Sequence, residues 1–172
     1  MTRLHEYETV VSWTGDRGTG TSGYRDYGRD HEVTADGPAA IAGSADPAFR
    51  GDPGRWNPEQ LLVAALAQCH MLSYLALCAR QGVVVTGYVD RARGTMAQQG
   101  DGGHFTSVVL RPVVRVATTG MRTRALALHE QAHAVCFIAN SVSFPVSHEP
   151  TVVADDAPEP PGSTGPGLRP PA

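Results

Sequence analysis

The segment from Asn57 to Gly82 constrains the fold of this chain more than any other. Asn57 is a favourable helix N-cap, Pro58 suits the first helical position, and Gln60 can complete a capping box. From there to Arg80 the sequence is dense in leucine, alanine and methionine, and Gly82 provides a stop signal. Because apolar residues occupy nearly every face, the pattern predicts a buried central helix rather than a surface helix.

Shorter elements surround this helix in the sequence. β-Branched and alternating patterns predict strands over residues 7–13, 83–97, 105–116 and 144–153, of which the middle two form an antiparallel hairpin. Helical spacing over residues 122–140 predicts a second helix that carries Cys136. The glycine- and proline-rich stretches 14–29 and 36–56 are predicted to be loops. This order of elements predicts an α+β fold.

Length and composition place these elements in one domain. The chain has 172 residues, of which 41% are hydrophobic, as is typical of one folded domain. We expect that domain over residues 1–153, followed by a disordered tail over 154–172 that contains six prolines and three glycines. No uninterrupted apolar run approaches the roughly 20 residues of a membrane span, and no signal peptide is evident. The sequence therefore predicts a cytoplasmic protein with no membrane partner.

The charged residues exclude several functions. All 14 basic residues are arginine, so chemistry that depends on a Schiff-base lysine or a P-loop lysine is excluded. The net charge is −3 and the arginines form no basic stripe along the chain. These features argue against a nucleic-acid partner, which needs a concentrated positive surface to neutralise phosphates.

Three cysteines are the first candidates for chemistry: Cys69, Cys78 and Cys136. An odd number argues against a disulfide framework, so each is either a buried filler or a reactive thiol. Cys69 and Cys136 lie on two predicted core helices, which we expect to pack together. Cys78 follows Cys69 by nine residues, about 180° around the helix, and is interpreted as core filler. An apolar environment keeps a thiol inert, so a reactive thiol needs a positive neighbour.

Arginine is the one permanently charged cation that this chain can place beside a thiol. Arg50, just before the long helix, is one candidate, and Arg25 and Arg29 are others. Glu59 could hold such a guanidinium in a bidentate pair. However, Glu59 and Cys69 are ten residues apart, about 15 Å along one helix. If both act at one site, we expect Glu59 to come from a partner subunit across a two-fold interface.

A second candidate chemistry is metal binding on the second helix. Residues 129–133 (His-Glu-Gln-Ala-His) match the H-E-x-x-H pattern, in which His129 and His133 share a helix face and Glu130 could act as a general base. A third ligand would have to come from His148 or Glu149. The alternative interpretation is a polar, half-exposed helix face, and the five-residue pattern alone does not separate the two.

The long helix and the two outer cysteines together resemble a known family. Residues 57–62 (Asn-Pro-Glu-Gln-Leu-Leu) and 64–70 (Ala-Ala-Leu-Ala-Gln-Cys-His) are similar to the central-helix motif of the OsmC/Ohr family. These are the osmotically inducible protein C and organic hydroperoxide resistance proteins. Residues 132–136 (Ala-His-Ala-Val-Cys), ahead of Ser141 and Pro145, resemble the second cysteine motif of that family. The resemblance covers about residues 7–153.

The resemblance implies a fold, an assembly and an activity. The fold is an intertwined homodimer in which antiparallel sheets wrap around two central helices, with two sites at the interface. The activity is thiol-dependent reduction of organic hydroperoxides in oxidative-stress defence, with Cys69 as the peroxidatic thiol and Cys136 as the resolving thiol. It implies no metal and no organic cofactor. The reductant implied is a dithiol such as a lipoylated protein.

The resemblance also implies an arginine–glutamate pair that activates the first thiol. Glu59 matches the family glutamate that pairs with the catalytic arginine. Arg50 resembles the arginine of the OsmC branch, which precedes the long helix, and is the preferred candidate. The Ohr branch places its arginine in the N-terminal loop, which here contains Arg17, Arg25 and Arg29.

Three functions follow from these features. The resemblance favours a cysteine-based peroxidase that passes through a Cys69 sulfenic acid and a Cys69–Cys136 disulfide. The first alternative is a zinc-dependent hydrolase that uses His129, Glu130 and His133. The second is a non-catalytic OsmC-like binding dimer in which the cysteines only pack.

Overall fold

Helix α1 (Pro58–Arg80) begins and ends where the sequence signals predict. Asn57 Oδ1 accepts the backbone N–H of Gln60 at 2.8 Å, and Gln60 Oε1 accepts the backbone N–H of Asn57 at 3.2 Å, which closes the capping box. Past the other end, Gly82 has a φ of 70°, a conformation that favours glycine. The Val83 N–H then bonds to the Cys78 carbonyl at 2.9 Å and satisfies one of the last helical carbonyls.

The computed structural model describes residues 2–157, which fall into two compact units at residues 62 and 63. The first unit contains an antiparallel sheet in the order β1 (Val10–Trp13), β2 (His31–Thr34) and β3 (Ile41–Gly43). A 3-10 turn over Pro47–Phe49 and the start of α1 complete this unit. The sequence predicts a disordered tail over residues 154–172. Most of it, residues 158–172, lies outside the described residues, so this prediction stays untested.

The second unit contains the rest of α1, a second helix α2 (Arg122–Ala134) and two three-stranded sheets. Its strands are β4 (Val85–Asp90), β5 (Arg93–Gln99), β6 (Gly102–Leu110), β7 (Pro112–Val116), β8 (Val146–His148) and β9 (Thr151–Ala154). One sheet has the order β4-β7-β9 and the other β5-β6-β8. The first two strands of each sheet pair antiparallel, and the third joins in parallel. The predicted α+β class is confirmed, with mixed sheets.

The strands are shorter and more numerous than the sequence patterns predict. The predicted hairpin is split into four strands, with β5 and β6 joined at Gly100, whose φ is 60°, and β4 paired with β7 outside them. The predicted strand 144–153 is divided between two sheets. Strands β2 and β3 lie within or beside segments rich in turn residues, and β3 was predicted as loop. Three- and four-residue strands carry too little alternation to be recognised from pattern alone.

Helix α2 ends earlier than predicted, at Ala134 rather than near residue 140. The Cys136 N–H donates to the His133 carbonyl at 3.2 Å, which turns the chain out of the helix. The Asn140 side-chain amide donates to the Ala134 carbonyl at 3.1 Å and satisfies a second carbonyl at this end. Cys136 therefore lies in the turn after α2 and not on the helix, which corrects the prediction.

Helix α1 buries only one stripe in the single chain. Its buried residues recur every four positions: Leu66, His70, Tyr74 and Cys78. Leu66 packs with Val108 and Leu110 in one core cluster. The C-terminal half of the helix packs in a larger core cluster with residues of α2, β7 and β9. The opposite face carries Leu72, which is 62% exposed. The prediction of a helix buried on all faces is therefore wrong for one chain by itself.

By length and composition alone, α1 could cross a membrane, although polar residues interrupt its apolar run. The central helix of a globular protein meets the same criteria. The absence of a membrane partner stays a prediction.

Candidate active site

Cys69 on α1 and Cys136 in the turn after α2 lie side by side. Both thiols are free; Cys69 is partly exposed, whereas Cys136 is buried. Burial raises the pKa of Cys136 to about 11, and a hydrogen bond with the neighbouring Cys69 thiol is the second cause of that rise. At neutral pH the pair therefore presents one accessible sulfur and one protonated, sheltered sulfur. The structure thus brings together the two cysteines that the sequence singles out.

The turn that holds Cys136 also faces it with backbone N–H groups. Hydrogen bonds from the backbone of Ala139 and Ile138 act to lower the pKa of this thiol, against the larger effect of burial. The same turn is closed by the bond from the Asn140 N–H to the Cys136 carbonyl at 3.0 Å. These donors can stabilise negative charge on the sulfur when it becomes a thiolate.

Cys78 is separate from this pair. It is 1% exposed and packs in the larger core cluster beside Tyr74. Burial raises the pKa of its thiol, which keeps it protonated and unreactive. The interpretation of Cys78 as core filler, made from its position around the helix, agrees with this burial.

Glu59 and Arg50, both in the first unit, do not form an ion pair within the described chain. Glu59 Oε2 is buried and has no hydrogen-bond partner among residues 2–157. Arg50 follows the 3-10 turn with a left-handed φ of 68° and an exposed side chain. A buried carboxylate oxygen without a partner is energetically costly, so Glu59 is poised to accept a donor that these residues do not supply.

Some arginines of the first unit are held by aromatic or acidic side chains, and others are exposed. Arg29 stacks on Tyr24 and Tyr27, with its guanidinium carbon 4.5 and 4.1 Å from the ring centroids, and donates to the carbonyls of both tyrosines. Arg55, which the sequence reasoning did not consider, lies 3.7 Å from both Asp30 and Asp52. The remaining predicted candidates are exposed: Arg17, Arg25 and Arg50.

Four histidines form a cluster between α1, α2 and β8. The sequence pattern groups three of them as possible metal ligands, His129, His133 and His148, but does not place His70 with them. His70 and His129 are fully buried, and His70 Nε2 lies 3.0 Å from His129 Nδ1. The ring of His148 lies 5.5, 6.1 and 5.5 Å from the rings of His70, His129 and His133, respectively. The i,i+4 spacing of the two α2 histidines was visible in the sequence, but their contacts with α1 and β8 depend on tertiary packing.

This geometry does not favour the zinc-hydrolase alternative. Within the described chain, no three histidine, cysteine, aspartate or glutamate side chains are arranged to hold a metal ion. His129 Nδ1 faces His70, and the Glu130 carboxylate is 82% exposed and contacts His148 Nε2 at 3.3 Å. The other candidate third ligand, Glu149, instead pairs with Arg111 at 2.8 Å.

The comparisons with known proteins agree with the motif and with the fold. A sequence model of the family described as OsmC-like protein matches residues 51–151, more than half of the chain. The chain belongs to this family. An OsmC-like protein of unknown function from Vibrio cholerae is 34% identical to it, with a TM-score of 0.76 over 86% of this chain and 99% of that one. No curated protein matches the sequence.

More distant structures share the OsmC fold. An organic hydroperoxide resistance protein from Elizabethkingia anophelis, with thiocyanate bound, has a TM-score of 0.63 at 18% identity over 90% of this chain and all of that one. An organic hydroperoxide resistance protein from Legionella pneumophila has a TM-score of 0.61 at 22% identity over 88% of this chain and 98% of that one. At these identities the likeness shows the fold alone.

Proposed function

We propose that this OsmC-like protein is a cysteine-based peroxidase that reduces organic hydroperoxides to alcohols. The observation that carries the proposal is the contact between the Cys69 and Cys136 thiols, one partly exposed and one buried. A peroxidase of this kind needs an accessible sulfur to meet the peroxide and a second sulfur within reach of the first. The distant structures named organic hydroperoxide resistance proteins share its fold.

The first step takes place at Cys69. Its thiolate sulfur attacks the terminal peroxide oxygen, so that an S–O bond forms and the O–O bond breaks. The alkoxide takes up a proton and leaves as an alcohol, while Cys69 is oxidised by two electrons to a sulfenic acid. The mostly apolar sequence of α1 around Cys69 favours an organic hydroperoxide over hydrogen peroxide as the substrate.

The second step joins the two sulfurs. The Cys136 sulfur attacks the Cys69 sulfenic acid, an S–S bond forms, and the S–O bond breaks with release of water. The backbone N–H groups of Ile138 and Ala139 support the thiolate that makes this attack. An external dithiol, of which a lipoylated protein is the expected example, then reduces the disulfide by thiol–disulfide exchange.

We further propose that the working unit is a homodimer. Helix α1 is apolar along its length but leaves a face with Leu72 exposed in the single chain, and a second copy would cover it. In such a dimer the unpartnered Glu59 oxygen would meet an arginine at the interface.

Arg50 is our first candidate for this arginine, because it resembles the arginine that precedes the long helix in the OsmC branch and its side chain is exposed. Arg17 and Arg25 are exposed too and remain alternatives, whereas Arg29 is held by two tyrosines. The charge of Arg50 would stabilise the Cys69 thiolate and polarise the peroxide.

Three free cysteines and no disulfide within the described residues fit a reducing compartment, so we propose the cytoplasm as the place of action. No metal or organic cofactor enters the proposed chemistry.

Turnover of an alkyl hydroperoxide with dihydrolipoamide as reductant tests this function. We expect tert-butyl hydroperoxide to be consumed faster than hydrogen peroxide, and Cys69→Ser to abolish consumption. Cys78→Ser is the matched control, because Cys78 lies in the core cluster away from the thiol pair, and should keep most of the activity. Equal consumption by the wild type and Cys69→Ser would overturn the proposal, and no consumption by the wild type would overturn it in favour of a non-catalytic dimer.

A further inference from the structure

The histidine cluster, defined as His70, His129, His133 and His148, joins the same two helical segments that carry the proposed reactive thiols. His70 directly follows Cys69 on α1, and His133 precedes Cys136 by three residues and accepts its N–H through the backbone carbonyl. The closest contact of the cluster, between His70 and His129, bridges α1 and α2. A change in the packing of these rings therefore acts on the elements that hold the two sulfurs next to each other.

The rings can pack in this way only while they are uncharged. The His70 and His129 rings are nearly parallel, with centroids 5.3 Å apart and planes 7° apart, and the Tyr74 ring stacks on His129 with its centroid at 3.9 Å. Two imidazolium ions at this separation in a buried site would repel each other and lose their hydration. The single proton shared between His70 Nε2 and His129 Nδ1 is what makes their hydrogen bond possible.

The hydrogen bonding of the cluster is incomplete even when it is neutral. His70 Nδ1, His129 Nε2 and His133 Nδ1 are buried and have no partner among the described residues. Either tautomer of the His70–His129 pair leaves one ring N–H and one ring nitrogen unpaired, because the bond between them uses one nitrogen of each ring. Such orphaned buried groups cost stability and offset part of what the packed neutral rings contribute, so the contact between α1 and α2 is sensitive to any added charge.

The groups that face the cluster do not offset added charge inside it. Tyr74 comes from α1, Glu130 and His133 from α2, and His148 from β8. Burial raises the pKa of Tyr74, so its hydroxyl stays neutral, and that hydroxyl donates to the Ala125 carbonyl at 3.1 Å. Glu130 contacts His148 alone, from an exposed position where solvent screens its charge. Burial and the neighbouring histidines lower the pKa of His70 to about 4 and that of His129 to about 3.

We propose that the histidine cluster gates the Cys69–Cys136 pair by pH: neutral rings hold α1 against the turn after α2, and protonation in acid separates them so that the disulfide no longer forms. The gate rests on the proposed function for its redox role. Its physical basis is that a proton enters the cluster only when the packed arrangement opens, because the packed site excludes charge. A disulfide between the two segments opposes that opening, so acid and disulfide formation work against each other.

A redox equilibrium with lipoamide and dihydrolipoamide tests the gate without any peroxide. In this exchange two protein thiols become one disulfide, and the disulfide of lipoamide becomes two thiols. While all four thiols stay protonated, no net proton is released and the equilibrium constant of an ungated pair does not vary with pH. A Cys69 thiolate in the reduced protein would make the constant rise as the pH drops, so thiol ionisation cannot produce a fall in acid. For the wild type we expect no fall from pH 7.5 to 6.5 and a fall of at least tenfold by pH 5.

The variants separate the gate from a structural role. His129→Phe keeps an aromatic ring beside Tyr74 but cannot take up a proton, and it should flatten the pH dependence. If that variant does not fold, His148→Gln serves the same purpose at a less buried position. His104→Gln, an exposed histidine on β6, is the matched control and should behave as the wild type.

The outcomes are distinct from those for the peroxidase. A pH-independent constant in the wild type, or a fall that persists in the cluster variants, overturns the gate. The absence of any Cys69–Cys136 disulfide in this buffer at pH 7.5 overturns both the gate and the proposed function. A gated disulfide in a protein that does not consume organic hydroperoxides overturns the peroxidase and keeps the gate.

Discussion

His70 Nε2 on α1 and His129 Nδ1 on α2 lie 3.0 Å apart, and both side chains are completely buried. Their pKa values, about 4 and about 3, lie below the 6.5 of an unfolded histidine. The unfolded chain therefore binds more protons than the folded chain below pH 6.5, and the stability supplied by the two neutral rings is lost as the pH falls.

The first prediction is acid lability of the fold. The free energy of unfolding should be nearly constant above pH 7 and should fall between pH 6.5 and about 4, by at most about 2.7 kcal/mol per pH unit for two histidines. Urea titrations at several pH values measure it. His104→Gln should follow the wild type, whereas His129→Phe should lose roughly half of the slope. A free energy that is equal at pH 7 and pH 5 would contradict the burial of two neutral histidines.

The second prediction concerns the rate of disulfide formation above neutral pH. Because burial raises the pKa of Cys136 to about 11, its thiolate fraction grows about tenfold per pH unit between pH 7 and pH 10. The rate at which a Cys69 sulfenic acid converts to the disulfide should rise by the same factor. Rapid-quench alkylation followed by mass spectrometry measures this step alone. A rate that levels off below pH 9 would show that Cys136 ionises far more easily than its burial implies.

The third prediction tests the start of α1. Replacing Asn57 with alanine removes the acceptor for the Gln60 N–H and should cost about 1 kcal/mol of unfolding free energy. Asn57→Ser keeps a capping oxygen and should retain most of that stability. Denaturant titration at neutral pH compares the two variants. Equal stabilities for the alanine and serine variants would mean that the capping box does not contribute.

The fourth prediction tests the homodimer. Leu72→Glu places a charge on the exposed apolar face of α1 and should convert the dimer into monomers in sedimentation equilibrium. Met96→Glu on β5 makes the same change of charge at another exposed apolar residue and is the control. A wild type that sediments as a monomer at micromolar concentration, or a Leu72→Glu variant that stays dimeric, would exclude α1 as the interface.

Local signals in the sequence were enough to predict some elements and not others. The cap at Asn57 and the stop at Gly82 determine both ends of α1, because each acts through hydrogen bonds within a few residues. The end of α2 could not be predicted in this way, since it depends on the amide of Asn140, six residues away, reaching the Ala134 carbonyl. The short strands β2 and β3 pair with each other, and β2 also pairs with β1, which local pattern does not encode.

The candidate site, too, could be predicted from the sequence in part only. The sequence placed Cys69 and Cys136 on two packed helices, and the contact between their side chains agrees with that expectation, although Cys136 lies past the helix end. The sequence grouped His129, His133 and His148 as possible metal ligands, but it did not predict the contact of His70 with His129, which depends on how α1 packs against α2. The pairing of Glu59 with Arg50 is not formed in the single chain, and it stays a prediction for the dimer.

The most direct test of the proposed peroxidase is a thiol count in the native protein before and after one equivalent of an organic hydroperoxide, by alkylation and mass spectrometry. We predict that two thiols disappear together, that they map to Cys69 and Cys136, and that Cys78 remains free. In Cys136→Ser the same treatment should leave a sulfenic acid on Cys69. Survival of all three thiols in the wild type would contradict the peroxidase mechanism.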